Sequence, residues 1–134
     1  MKKKAVSLLV VLALLVSGVC AAAVEISPMW TYLNLVIKTL TIEDGDLNWG
    51  ATANAYYVPE VTSVKVEVKL QRYGTSWTTI ASDTDTEDGT YAAAGGSYTN
   101  WTTGQKYRLV TTVTIYDGST MIEQVGPSYN TLNT

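Results

Sequence analysis

Apolar and polar residues alternate along much of the chain beyond residue 30. The alternation is clearest over residues 63–72, where every second position is apolar: Val64, Val66, Val68 and Leu70. Residues 106–116 repeat it, with one face formed by Tyr107, Leu109, Thr111, Val113 and Ile115. A period of two predicts strands that bury one face and leave the other in water.

Weaker patterns extend this strand reading. Over residues 47–57 one parity holds Leu47, Trp49, Ala51, Ala53, Ala55 and Tyr57. In residues 32–43 the apolar positions change phase after Ile37, which predicts a β-bulge or a crossing between sheets. Three further strands are predicted over residues 77–82, 90–98 and 119–125. The last of these ends before Pro127, and the small side chains of residues 91–98 predict a weak edge strand.

Turn signals separate these segments. Asp44-Gly45, Asp88-Gly89 and Asp117-Gly118 each lie between two predicted strands, and Asp-Gly favours tight turns because both residues tolerate positive φ. About seven short strands at this spacing predict an all-β fold: an antiparallel sandwich of two sheets.

The segment WTTGQKYRLVTTV, residues 101–113, refines the expected fold. Gly104 followed by Tyr107, at the start of a strand, resembles the tyrosine corner of immunoglobulin-like and fibronectin-type-III-like domains. The resemblance implies that the Tyr107 hydroxyl bonds to backbone upstream and that Trp101 closes the end of the core. It indicates a fold and leaves the function open.

The first 23 residues form a predicted export leader, which we expect to be helical. Three lysines precede the apolar run 5–16, and the small residues 21–23 follow it, which is the order of a secretory signal peptide. We expect cleavage after Ala23 and a sandwich domain over residues 24–134. Two alternatives are an uncleaved membrane anchor and lipid attachment at Cys20, although Ser17, Gly18 and Val19 fit the lipid-attachment pattern poorly.

The leader, LQRYGTSW (residues 70–77) and GQKYR (residues 104–108) together resemble a group of small secreted proteins of unknown function from Gram-positive bacteria. This resemblance implies secretion and a sandwich fold. It implies no activity and assigns no functional residues.

Composition narrows the function classes. The 134-residue chain has no histidine, one cysteine, nine basic and twelve acidic residues, and the leader removes three of the basic ones. A mature domain without cysteine has no disulfides, and the missing histidine argues against hydrolytic catalysis near neutral pH. Its acidic balance argues against nucleic acids and anionic membrane surfaces as partners. We therefore expect a protein that is not an enzyme.

The acidic segment DTDTEDG, residues 83–89, is the one candidate for a metal site. Its oxygen ligands would suit calcium, and they are Asp83, Asp85, Glu87 and Asp88. Their spacing departs from an EF-hand loop, because Asp88 stands where the sharp turn needs glycine. The alternative is a solvated acidic hairpin loop that keeps the protein soluble and deters edge pairing.

Aromatic side chains are the candidate binding residues. The chain has nine tyrosines and four tryptophans but no phenylalanine, and Tyr and Trp combine an apolar ring with a polar group. An exposed platform for sugar rings or a partner protein is predicted from Tyr56, Tyr73, Trp77 and Tyr116. The competing interpretation places tryptophan in the core.

The function expected from these features is a secreted or cell-surface module that contacts an extracellular protein or glycan. One alternative is a structural subunit that self-associates through edge strands. Another is a calcium-dependent adhesion module that uses the acidic segment.

Overall fold

The computed structural model describes residues 20–26 and 29–134, and it is all-β. Two antiparallel sheets of four strands face each other: sheet A in the order β1-β2-β3-β6, and sheet B in the order β5-β4-β7-β8. The predicted two-sheet antiparallel architecture is therefore confirmed. The strands are β1 (Cys20–Glu25), β2 (Leu33–Glu43), β3 (Asp46–Ala55), β4 (Ser63–Tyr73), β5 (Trp77–Asp88), β6 (Tyr91–Tyr98), β7 (Lys106–Asp117) and β8 (Thr120–Asn133).

The core lies between the sheets and follows the alternation in the sequence. The apolar positions of β4 and β7 are buried, and Tyr107 is completely inaccessible to solvent. From sheet A, β3 contributes Leu47, Trp49 and the alanines at 51, 53 and 55. The small alanines leave volume that larger side chains of the facing sheet fill, as close packing of an interior requires.

Strand β2 contains the predicted bulge, but at a different position. The register with β3 shifts between Leu33 and Leu35, earlier than the apolar pattern indicated. Val36, Lys38 and Leu40 consequently face the core after the shift, and Thr41 is buried as well. Lys38 is 2% exposed, and its ammonium group binds the Glu25 carboxylate and the Ser128 hydroxyl. A lysine that faces inward could not be anticipated from hydrophobic periodicity.

Two of the three Asp-Gly pairs connect antiparallel neighbours as predicted, whereas Asp88-Gly89 connects β5 of sheet B to β6 of sheet A. Asp44 and Gly45 join β2 to β3 with φ values of 51° and 81°. Asp88-Gly89 stands between β5 and β6, and Asp117-Gly118 joins β7 to β8. The turn residues thus fix which strands follow one another at short range.

Two strands are longer than the sequence indicated. β5 continues to Asp88 instead of ending at Ser82, so the acidic segment lies mostly within a strand and is not a loop. β8 continues to Asn133 across Gly126-Pro127. Pro127 is tolerated because β8 is an edge strand, where a missing backbone donor need not break a ladder.

An eighth strand, β1, was not anticipated. Cys20–Glu25 pairs with β2 from Thr41 to Val36, and its first four residues belong to the predicted leader. The rest of that leader, residues 1–19, lies outside the described residues, and so does its predicted helical form. Within the described residues, no helix is long and apolar enough to cross a membrane.

Candidate functional site

Two predicted binding residues meet on the outer face of sheet B. Tyr73, the last residue of β4, pairs directly with Trp77, the first residue of β5. Their ring centroids are 5.2 Å apart at an interplanar angle of 61°, an edge-to-face contact. The turn at residues 74–76 therefore presents two adjacent rings on one surface.

Arg108 organises this surface. It follows Tyr107 in β7, so its side chain has the outward parity, and it pairs with Gln71 of β4. The guanidinium carbon lies 4.3 Å from the Trp77 ring centroid and 4.5 Å from that of Tyr129. Its Nε donates a 2.7 Å hydrogen bond to Gln71 Oε1. These cation–π contacts and this hydrogen bond fix the orientation of the guanidinium group.

We call Tyr73, Trp77, Arg108 and Tyr129 the sheet-B cluster. Tyr73 and Tyr129 are 43% and 54% exposed, while Trp77 and Arg108 are half-buried. The Lys106 ammonium group lies 5.7 Å from the Tyr73 ring centroid and adds a second cation. The cluster therefore offers ring surface and positive charge to solvent at one end of the sheet.

A groove of about 330 Å³ continues from the cluster along β4, β7 and β8. Its lining residues are Glu67, Lys69, Gln71, Arg108, Val110, Thr112, Pro127 and Tyr129. The lining combines charged, amide, hydroxyl and apolar groups. Such a mixture suits a ligand that carries both polar and apolar surface.

The other two predicted binding residues lie elsewhere. Tyr116 shares the outer face with Arg108 but stands eight positions further along β7, roughly 27 Å away at the rise of a strand. Tyr56 lies beyond the end of β3 and is 37% exposed, whereas its neighbour Tyr57 is 96% exposed. The four-residue platform is therefore not one surface, and only Tyr73 and Trp77 meet.

The acidic segment faces the edge of the other sheet. Asp83 Oδ2 accepts a 3.0 Å hydrogen bond from the Gly95 amide, and Asp85 Oδ2 accepts one of 3.0 Å from the Ala93 amide. Both amides belong to β6, one of the two edge strands of sheet A. The two carboxylates therefore cap an open sheet edge, which is one way in which proteins block edge pairing.

Calcium is less well supported by this arrangement. Asp83 and Asp85 share one face of β5 with Glu87, whereas Asp88 has the opposite parity. A hydrogen bond with Asp85 and repulsion from its carboxylate raise the pKa of the Glu87 carboxyl. Among the described residues, no three acidic, cysteine or histidine side chains are grouped so that they could hold a metal. The geometry favours edge capping.

The predicted corner residues lie together at the start of β7. The Tyr107 hydroxyl accepts a 2.9 Å hydrogen bond from the Thr102 amide, five residues upstream. Gly104 has a φ of 85°. Trp101 packs against the core, and its indole Nε1 donates a 2.8 Å hydrogen bond to the Gly45 carbonyl. These contacts close one end of the sandwich.

Sequence reasoning missed Arg108 and Tyr129 as members of the site. The alternation over residues 106–116 gives Arg108 an outward parity, but its neighbours depend on the register between strands. Tyr129 was missed because β8 was expected to end before Pro127. The available signal was the parity of residues 108 and 71, which places both on the outer face once the two strands are paired.

Comparison with protein-family models finds none that matches this chain, and comparison with curated proteins finds no similar sequence.

Proposed function

We propose that the chain is a non-enzymatic secreted or cell-surface module that binds a glycan or a protein through the sheet-B cluster. The observation that carries this proposal is the guanidinium of Arg108 between the rings of Trp77 and Tyr129 on a solvent-facing sheet. Tyr, Trp and Arg side chains dominate binding energy at many interfaces, because they combine large contact areas with directed polar groups. Secretion is supported by the leader sequence.

The proposal includes an immunoglobulin-like or fibronectin-type-III-like fold. Sheet B has β4 between β5 and β7, followed by β8, which corresponds to the C′-C-F-G order of immunoglobulin-like sandwiches. The hydrogen bond between Tyr107 and Thr102 supports the same assignment, since a tyrosine corner has this geometry at the start of strand F. In such domains a rigid sandwich presents binding residues on one sheet or its loops.

The test is a screen of the purified protein on a glycan array and on immobilised extracellular proteins, followed by Trp77→Ala. We expect a ligand whose affinity falls at least about tenfold with this variant, as loss of a central aromatic contact implies. Tyr116→Ala is the matched control, because Tyr116 lies on the same face but far from the cluster. Equal losses with both variants, or no ligand on either screen, would contradict the proposal.

A further inference from the structure

The basic residues of this acidic protein are segregated. Of the nine, three belong to the predicted leader and Lys38 is buried between the sheets. The remaining five all lie on the two central strands of sheet B: Lys65, Lys69, Arg72, Lys106 and Arg108. These two strands carry only two acidic residues, Glu67 and Asp117. The net charge of −3 therefore conceals a positive sheet face.

Four of these five cations form no ion pair with a carboxylate of the described residues. Within the part of the chain that the structure describes, ion pairs join Lys38 to Glu25 and Lys65 to Glu67. Lys69, Arg72, Lys106 and Arg108 form none. Arg72 has the inward parity, whereas the other three have outward parity and lie in or near the sheet-B cluster. Uncompensated cations beside exposed rings attract an anionic ligand and raise its local concentration.

The way in which the cations are placed indicates the kind of anion. Arg108 lies within 4.5 Å of two ring centroids, so a negative group that it binds must be attached close to a surface that packs on rings. A sugar ring fits this description, because its C–H face packs on an aromatic ring. A carboxylate on that sugar then reaches the guanidinium fork, whose geometry it matches.

The groove supplies the polar contacts that such a ligand needs. The Gln71 side chain and the Thr112 hydroxyl line it together with Lys69, and these groups can hydrogen-bond sugar hydroxyls. The backbone of β4 and β7 is already paired on both sides, so recognition here must use side chains and not strand addition.

We infer that the outer face of sheet B binds a carboxylate-bearing polysaccharide of the uronic acid type. The rings of Trp77, Tyr73 and Tyr129 would contact sugar faces, while Arg108 and Lys69 pair with the carboxylates. This inference rests on the proposed function and specifies the ligand class of the same site. The negative net charge of the chain argues against anionic partners, whereas the local positive charge of this face would attract one.

The test measures binding of polygalacturonate by the protein, produced with its own leader and purified, using calorimetry at low and high salt. Methyl-esterified polygalacturonate is the matched ligand, since esterification removes the charge and keeps the sugar chain. We expect at least about tenfold tighter binding of the acidic polymer, and weakening by salt, as for charge-assisted contacts.

Variants that each remove one positive charge test which cations contact the polymer. Arg108→Gln is expected to lower affinity at least about tenfold, which corresponds to loss of a charged contact. Lys69→Gln, an exposed position, should lower it several-fold even if the arginine variant fails to fold. Arg72→Gln removes the same charge from an exposed position of opposite parity on β4, outside the groove, and should leave affinity within about twofold.

The outcomes separate this inference from the proposed function. Equal binding of acidic and esterified polymers would overturn the uronic acid assignment and leave a glycan module. Equal binding of polyglutamate or DNA would overturn it in favour of a general polyanion surface. If the protein does not bind polygalacturonate but the screens identify another ligand, only this inference is overturned. If no ligand of any kind is found, both the inference and the proposed function are overturned.

Discussion

The outer faces of the two sheets differ in what determines their residues. On sheet A, a groove of about 360 Å³ runs over β2, β3 and β6, and its lining includes Gly50, Gly95 and Ala93. The outer face of sheet B instead carries the rings and cations of the sheet-B cluster. A Cβ at Gly95 would lie 2.3 Å from the Trp49 carbonyl oxygen, so sheet A has no room for a side chain there. Close backbone packing therefore dictates glycine at positions 50 and 95 of sheet A, whereas the outer face of sheet B accommodates large side chains.

Gly95→Ala is the substitution with the largest expected effect on stability. The added methyl group would also meet the Gly50 Cα at 2.7 Å, and both obstacles are backbone atoms that cannot rotate away. We expect a loss of about 3 kcal/mol in the free energy of unfolding, measured by denaturant titration, as for severe overpacking. Gly74→Ala is the control, because nothing lies within 4 Å of its Cβ position. Equal stability of the two variants would contradict the account of sheet A.

A smaller effect is expected at the boundary between the sheets. Asp83→Ala combined with Asp85→Ala removes both caps from β6 and exposes its amides to pairing. We expect a loss of about 1–2 kcal/mol, together with concentration-dependent association in size-exclusion chromatography with light scattering. Asp88→Ala, on the opposite face of β5, is the control. If the double variant stays monomeric, the two aspartates do not block edge pairing. If the unaltered protein already associates, the structural-subunit alternative is favoured.

The smallest effect concerns pH. The pKa of Glu87 is raised above 4.5 in the folded protein. The folded protein therefore binds a proton at this carboxyl more readily than the unfolded chain does. That contribution to stability is present below pH 4.5 and is lost as pH rises through the higher, folded pKa. In thermal melts between pH 4 and 7, the melting temperature of the unaltered protein should therefore rise slightly toward acid pH relative to that of Glu87→Gln. Parallel pH profiles would contradict the assigned repulsion between Glu87 and Asp85.

The sequence was most informative where burial alone sets the residue type. The alternation in β4 and β7 identified the inner face of sheet B, because apolar residues there have a single physical role. It failed where a side chain serves another part of the fold. The aspartates of β5 suggested a loop because their role is to bond β6 across the gap, and β1 was missed because an alanine-rich strand resembles a cleavage region.

The binding site was less accessible to sequence reasoning than the fold. Tyr73 and Trp77 were identified as members of an exposed aromatic platform, because the chain uses many tyrosines and tryptophans and no phenylalanine. Arg108 and Tyr129 join them only through pairings of β7 with β4 and β8, and β8 includes a register shift that no local pattern reveals. Membership of the cluster is thus a property of strand register.

The most direct test of the central claim is an NMR titration of isotope-labelled protein with short galacturonate oligomers. We predict shifts in the Trp77 indole, the Arg108 Nε–H and the Gln71 side-chain amide, all on sheet B, with the amides of Gly50 and Gly95 on sheet A unchanged. Shifts confined to sheet A, or none on either face, would contradict the claim that the outer face of sheet B is the binding surface.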